Sequence, residues 1–233
     1  MIYNTLATYY DDLVKDDEAT KAWIDWIGRF QKPCSMLELA CGSGEITQQL
    51  HHLGYKMTAL DLSQQMIDKA RNKDEAIEFH CQDMKDLLNF KSYDSIACLC
   101  DSFNYILSKE EVASFFEEVS KHLKEGGLFF FDTHSLDRLD EFKEEWNETG
   151  TFEDGLHYQW SITSEDDWVY QDFAFYLANG QVVQEHHLQR VYDPKWLEQA
   201  FSPYFSIVDV CTDFELPGIQ LGEKYFYVLK KEG

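Results

Sequence analysis

Apolar residues recur along this chain at two different spacings, and the spacing changes part-way. Over residues 18–30, Trp23, Trp26, Ile27 and Phe30 fall on one helical face, and Pro33 follows as a stop. A short apolar run, 35–40, halts at Gly42-Ser43-Gly44. Ile46, Leu50 and Leu53 then form the next helical face, closed by Gly54 as a C-cap. Strand-like runs follow at 57–62, 77–81 and 95–100. Ser63 is placed to cap a helix bearing Met66, Ile67 and Ala70. Ser108 and Glu111 have the capping-box spacing ahead of Val112, Phe115, Phe116 and Val119. Gly126-Gly127 then turns the chain into the wholly apolar run 128–131. Strands this continuously apolar are covered on both faces, and their alternation with helices predicts a doubly wound, mostly parallel α/β sheet.

From residue 149 to residue 192 the period becomes two. Tyr158, Trp160 and Ile162 alternate with His157, Gln159 and Ser161, while Phe173, Phe175 and Leu177 alternate with Asp172, Ala174 and Tyr176. Asn179-Gly180 is a hairpin turn signal. An antiparallel β-insertion after strand five is expected here. A helix at 194–201 and two antiparallel strands at 207–210 and 225–229 complete the pattern. The expected division is an α/β core with an N-terminal helical cover over 1–148, the insertion over 149–192, and a return to the core over 193–233.

Composition narrows the function. The 43 acidic and 20 basic residues give a formal net charge of −23. Nucleic-acid affinity rests on Lys and Arg against phosphates, so polyanions and anionic membrane surfaces are disfavoured as partners. A small neutral or cationic ligand suits this field. The opening residues Met1-Ile2-Tyr3-Asn4 lack the basic-then-apolar pattern of a leader, and the expected location is cytoplasmic. Cys34, Cys41, Cys81, Cys98, Cys100 and Cys211 form no CxxC pair and read as reduced, packed thiols.

The first strand-to-helix turn carries the strongest chemical signal. Open α/β sheets bind ligands at the carboxyl ends of their strands, and Gly42 and Gly44 let a ligand approach the backbone there. Asp61 ends the second strand, where a carboxylate can take both ribose hydroxyls. The dinucleotide fingerprint needs a third glycine, and Thr47 occupies that position. A pyrophosphate is also disfavoured by Glu38 before the turn and Glu45 after it. Carboxylates in this place suit an ammonium and a sulfonium, which favours S-adenosylmethionine over NAD.

The run Leu37-Glu38-Leu39-Ala40-Cys41-Gly42-Ser43-Gly44 resembles the cofactor-binding motif of class I S-adenosylmethionine-dependent methyltransferases, with Ala40 in place of the motif's first glycine. Asp61-Leu62-Ser63, with Met66, resembles the ribose segment, and Gln82-Asp83-Met84 the segment that meets adenine. Tyr93-Asp94-Ser95-Ile96 leading to Cys100-Asp101-Ser102 resembles the fourth strand and its loop. Leu123-Lys124-Glu125-Gly126-Gly127 resembles the turn before strand five, and Tyr9-Tyr10-Asp11 the aromatic segment that covers the cofactor in small-molecule members. The resemblance implies a Rossmann-like methyltransferase fold with a seven-stranded sheet. It also implies cofactor contacts from Glu38, Ala40, Gly42 and Gly44 around the turn, from Asp61, Leu62 and Met66, from Asp83 and Met84, and from Cys100 and Tyr10.

Methyl transfer is an in-line displacement whose rate comes largely from alignment in a dry pocket, with a base used only where the acceptor requires one. Asp101 after the fourth strand, His134 after the fifth and His187 in the insertion are the catalytic candidates. Glu185 and His187 share a strand face while His186 points to the other, which argues against a metal site. Tyr158, Trp160 and Tyr176 are candidates for an aromatic wall against a cationic amine, although such stripes more often build core. The expected function is methylation of a small-molecule N, O or S nucleophile, with the insertion serving as substrate cap or homodimer element. The competing readings are a non-catalytic S-adenosylmethionine-binding module and an NAD-dependent oxidoreductase.

Overall fold

The computed structural model describes residue 9, residues 11–13 and residues 16–232. Helix α1 (Asp17–Phe30) begins where the Asp16 carboxylate accepts from the Glu18 and Ala19 amides. Then come β1 (Ser35–Leu39), α2 (Glu45–His52), β2 (Lys56–Asp61), α3 (Gln64–Lys73), β3 (Glu78–Cys81) and β4 (Tyr93–Cys98). A 3₁₀ turn (Ser102–Tyr105) precedes α4 (Lys109–His122) and β5 (Leu123–His134). Ser63 and Ser108 cap α3 and α4 through the Met66 and Glu111 amides. The chain continues through α5 (Asp137–Glu141), β6 (Trp146–Thr151), β7 (His157–Glu165), β8 (Trp168–Tyr176) and β9 (Val182–Arg190). It closes with α6 (Pro194–Phe201), β10 (Phe205–Thr212), β11 (Leu216–Pro217) and β12 (Lys224–Lys231).

The main sheet has the order β11-β10-β12-β5-β4-β1-β2-β3. Strands β1 to β5 run parallel, and β12 lies antiparallel between β5 and β10. Among the described residues the sheet has eight strands where seven were expected. The extra one is β11, two residues paired with Cys211 and Thr212, too short and too proline-bound to leave a periodic trace. Strand β5 is also longer than its apolar run, at 12 residues. Gly126, at φ 70°, sits where the register against β4 steps from Tyr93↔Leu123 to Ser95↔Leu128, so the glycine pair expected as a turn is a bulge within the strand.

Alternation along β5 explains its composition. Phe129 and Phe131 pack on one face with Phe115 and Phe116 of α4 and Phe201 of α6. Phe130 turns to the other, against Trp26 of α1. Burial on both faces keeps the run 128–131 wholly apolar, and the buried polar residues Asp132, Thr133 and His134 begin where the strand reaches the sheet edge.

The second sheet, β6-β7-β8-β9, is antiparallel throughout. Its buried face carries Ile162, Val169, Phe173, His187 and Gln189. Buried Asn104 ties it to the core. Its Nδ2 donates to Thr133 Oγ1 at 2.9 Å and to the Arg190 carbonyl at 2.7 Å, while its Oδ1 accepts from the His134 amide at 3.0 Å. Among the described residues no helix is long and apolar enough to cross a membrane.

Candidate functional site

A cavity of about 510 Å³ lies where the carboxyl ends of β1, β2, β4 and β5 face the second sheet. At one end is the glycine turn, whose left-handed residues Ala40 (φ 54°), Gly42 (φ 55°) and Gly44 (φ 78°) coil the backbone tightly. Asp61 holds this turn to the next one. Its Oδ2 accepts from the Gly42 amide at 2.9 Å and its Oδ1 from the Ser63 amide at 2.8 Å. Burial raises the Asp61 carboxyl, against the pull of those two N–H groups. Glu38 is buried, and burial pushes it up to about 7, although the Thr47 hydroxyl donates to its Oε2 at 2.6 Å. Thr47, which stands where a dinucleotide site has its third glycine, therefore supports the carboxylate.

Ala40, Gly42, Asp61, Leu62, Met66, Asp83, Met84 and Cys100 all border this cavity. Glu38 borders an adjoining space of about 130 Å³ together with Asp11 and Ser43. Gly44 borders neither; a Cβ there would lie 3.0 Å from Ala70 Cβ and 3.3 Å from the Phe79 ring, so this glycine serves the packing of α2 against α3 and β3. Tyr10 lies outside the described residues. Its neighbours link the two sheets: Tyr9 donates to Asp154 Oδ2 at 2.7 Å and stacks on Phe152 at 4.5 Å. Asp11 accepts from the Ser43 hydroxyl and pairs with Lys73 at 2.9 Å.

Asp101, His134 and His187 border the far end of the same cavity. Cys100 (φ 56°) and Asp101 (φ 52°) are consecutive left-handed residues, and this turn places the Asp101 carboxylate above the sheet edge. Asp101 Oδ1 accepts from Lys224, its Oδ2 accepts from Gln189 Nε2 at 2.9 Å, and its backbone amide donates to Asp132 Oδ2 at 2.8 Å. Lys224 Nζ also stands 3.5 Å from Asp132 Oδ2. Burial opposes charge on all three groups, yet Lys224 between two carboxylates is raised, and Asp101 is held below the usual carboxylate range by the ammonium. Asp132 is pushed up by burial, with repulsion from Asp101 acting in the same direction and Lys224 against it. Burial lowers His134, and pushes His187 down to about 4. The Tyr105 hydroxyl is 3.0 Å from His187 Nδ1.

Glu185 and His187 share the buried face of β9, while His186 faces outward to Asp172. The aromatic wall differs from the expected set. Trp160 borders the cavity, but Tyr158 turns to Glu148 at 2.7 Å and Tyr176 is exposed and bonded to Gln159. Tyr105, Phe142 and Phe173 take their places. Lys224, Gln171, Gln189 and Arg138 are site residues that the sequence reading passed over.

Known proteins match this chain along its length. The methyltransferase domain family matches residues 36–127. A protein of Geobacillus sp. (strain WCH70), which bears a provisional methyltransferase name, is 31% identical over 253 residues, covering 99% of this chain and 100% of its own length. The crystal structure of an S-adenosylmethionine-dependent methyltransferase from Clostridium acetobutylicum ATCC 824 is 30% identical, with a TM-score of 0.83 over 99% of both chains. The sugar N-methyltransferase KedS8 from Streptoalloteichus sp ATCC 53650 shares the fold, with a TM-score of 0.80 at 19% identity over 100% of this chain and 94% of that one.

Proposed function

This chain belongs to the S-adenosylmethionine-dependent methyltransferases, and from that premise we propose that it methylates the nitrogen of a small amine held between its two sheets. The donor set of the cavity fits the cofactor: Asp61 for the ribose hydroxyls, Asp83, Met84 and Met66 for adenine, and Glu38, Ala40, Gly42 and Cys100 around the methionine end. These carboxylates favour a ligand carrying an ammonium and a sulfonium and disfavour a dinucleotide's pyrophosphate. Bound there, the cofactor supplies a methyl carbon already activated by positive sulfur. The second sheet serves as the cap that excludes water and selects the acceptor.

The observation that carries the amine reading is Asp101, an ionised carboxylate fixed on the cavity wall by Lys224 and Gln189 and sharing that cavity with Trp160, Phe173 and Tyr105. An amine that enters as the free base, its proton left to solvent, brings its own lone pair and needs no base in the transfer step. Its nitrogen gains positive charge as the methyl arrives, and a carboxylate and aromatic faces favour that charge. A hydroxyl would need a strong base. Asp101, held low, and His187, at about 4, are poor bases at neutral pH. Incubation with methyl-labelled S-adenosylmethionine and a panel of small amines, amino sugars included, should label the amines and spare their hydroxyl analogues. Label confined to the hydroxyl compounds would overturn the reading.

Two binding measurements test the cofactor half. Asp61→Ala should weaken S-adenosylmethionine binding by about 2 kcal/mol, the scale of lost hydrogen bonds to a charged group. An unchanged calorimetric affinity would place the ribose elsewhere. Glu38 attracts an ammonium only when ionised, and its raised value of about 7 puts that change near neutrality. Affinity should therefore be highest above about pH 7 and decline as pH falls through it, a dependence that Glu38→Gln removes. A flat affinity across this range would move the ammonium away from Glu38.

A further inference from the structure

We infer that Gln189 is a positioning residue: its side-chain amide fixes His134 as the Nε2–H tautomer and keeps that imidazole from capturing the Asp101 carboxylate. This deepens the reading in which Asp101 meets the acceptor, and rests on it. Gln189 is fully buried on β9. Its Nε2 donates to Asp101 Oδ2 at 2.9 Å and to the Asp101 carbonyl at 3.3 Å. Both partners are acceptors only, because Lys224 keeps the carboxylate ionised, so the amide cannot be turned over. Its Oε1 is thereby directed at Gln171 Nε2, at 2.7 Å, and at His134 Nε2, at 3.0 Å. A carbonyl oxygen only accepts, so His134 must donate through Nε2, and the lone pair rests on Nδ1.

The alternative partner is close. His134 Nε2 lies 3.7 Å from Asp101 Oδ2. Without the intervening amide, the imidazole N–H turns to that oxygen, and a carboxylate beside it draws a proton onto the ring. Asp101 would then be spent on His134 and closed to the acceptor nitrogen. In the proposed step the acceptor lone pair bonds the methyl carbon, the C–S electron pair stays on sulfur, and positive charge passes from sulfur to nitrogen next to Asp101. No proton has to reach His134.

The groups that bear on the His134 charge are Asp101 after β4, Lys224 on β12 and Arg138 on α5, with Gln189 supplying a neutral contact from β9. Long-range proton–nitrogen NMR on ¹⁵N-histidine-labelled protein reads the tautomer directly, with His134→Gln assigning the signal. The wild type should show a neutral Nε2–H ring that does not titrate between about pH 8 and pH 6. Gln189→Leu should move the His134 titration upward into that range, and Gln171→Leu, which leaves Gln189 in place, should not. A wild-type Nδ1–H ring, or a Gln189→Leu ring with unchanged tautomer and titration, overturns the proposal. Should Gln189→Leu fail to fold, the wild-type tautomer alone decides. Calorimetry of the wild type with S-adenosylmethionine separates the two readings: no binding defeats the cofactor site and leaves the tautomer result standing on its own.

Discussion

In a Lys224→Met variant the free energy of unfolding should fall by about 3 kcal/mol at neutral pH, and the deficit should shrink in acid. Lys224 is the ammonium between Asp101 and Asp132, and Asp132 is wholly inaccessible. Methionine keeps the unbranched stem and removes the charge, leaving two carboxylates facing each other. The sign with pH follows. In the wild type Asp101 titrates below its unfolded value, so the stability it contributes is lost only as pH falls below that value, while Asp132, pushed up to about 6, carries a penalty that acid relieves. In the variant both carboxyls titrate above their unfolded values, so the penalty is present at neutral pH and is relieved as they take up protons. Urea unfolding at about pH 8 and about pH 5 measures the relief of the variant's penalty, the Asp101 contribution of the wild type being lost only below about pH 4. A deficit of the same size at the two values would mean that lost packing, not stranded charge, is responsible.

Phe116→Ala should lower stability by about 3–5 kcal/mol. Phe116 is fully buried on α4, with ring centroids of Phe103, Phe131 and Phe201 at 5.6, 5.7 and 5.7 Å. These partners come from the turn after β4, from β5 and from α6, so the void cannot be closed by shifting one element. Leu88, 80% exposed, is the comparison: Leu88→Ala should stay within about 0.5 kcal/mol. A similar loss for both would show that α4 is not packed as described.

How much of this was legible depended on how local the cause was. The runs that became β1 to β4, and the caps at Ser63 and Ser108, are set by neighbours a few residues away, and they read directly from spacing. Strand β5 outruns its apolar stretch at both ends, Leu123 held by pairing with Tyr93 of β4 and Asp132, Thr133 and His134 by pairing with β12, long-range contacts that leave no local pattern. Among the candidate residues, Ala40, Gly42, Asp61 and Asp101 sit at strand ends, which periodicity locates. Gly44 sits in the same motif yet turns to packing, because its φ of 78° points its missing Cβ at Ala70 and Phe79. Gln189 did leave a signal: it continues the same-face series Glu185 and His187 by one more step of two. Lys224 left none. A lone lysine ahead of an apolar strand marks an ordinary strand entrance, and only the pairing of β12 with β5 sets it beside His134.

The direction of β12 has a consequence for biosynthesis. The parallel strands deliver their final residues to the ligand-binding edge, whereas β12 runs the other way and delivers its first, Lys224. Asp101 and Asp132 therefore leave the ribosome well before the ammonium that bridges them. The two carboxylates gain their shared ammonium only when residue 224 has emerged and β12 has paired with β5 and β10. The charge balance at this edge is thus completed by the last strand of the sheet to be made.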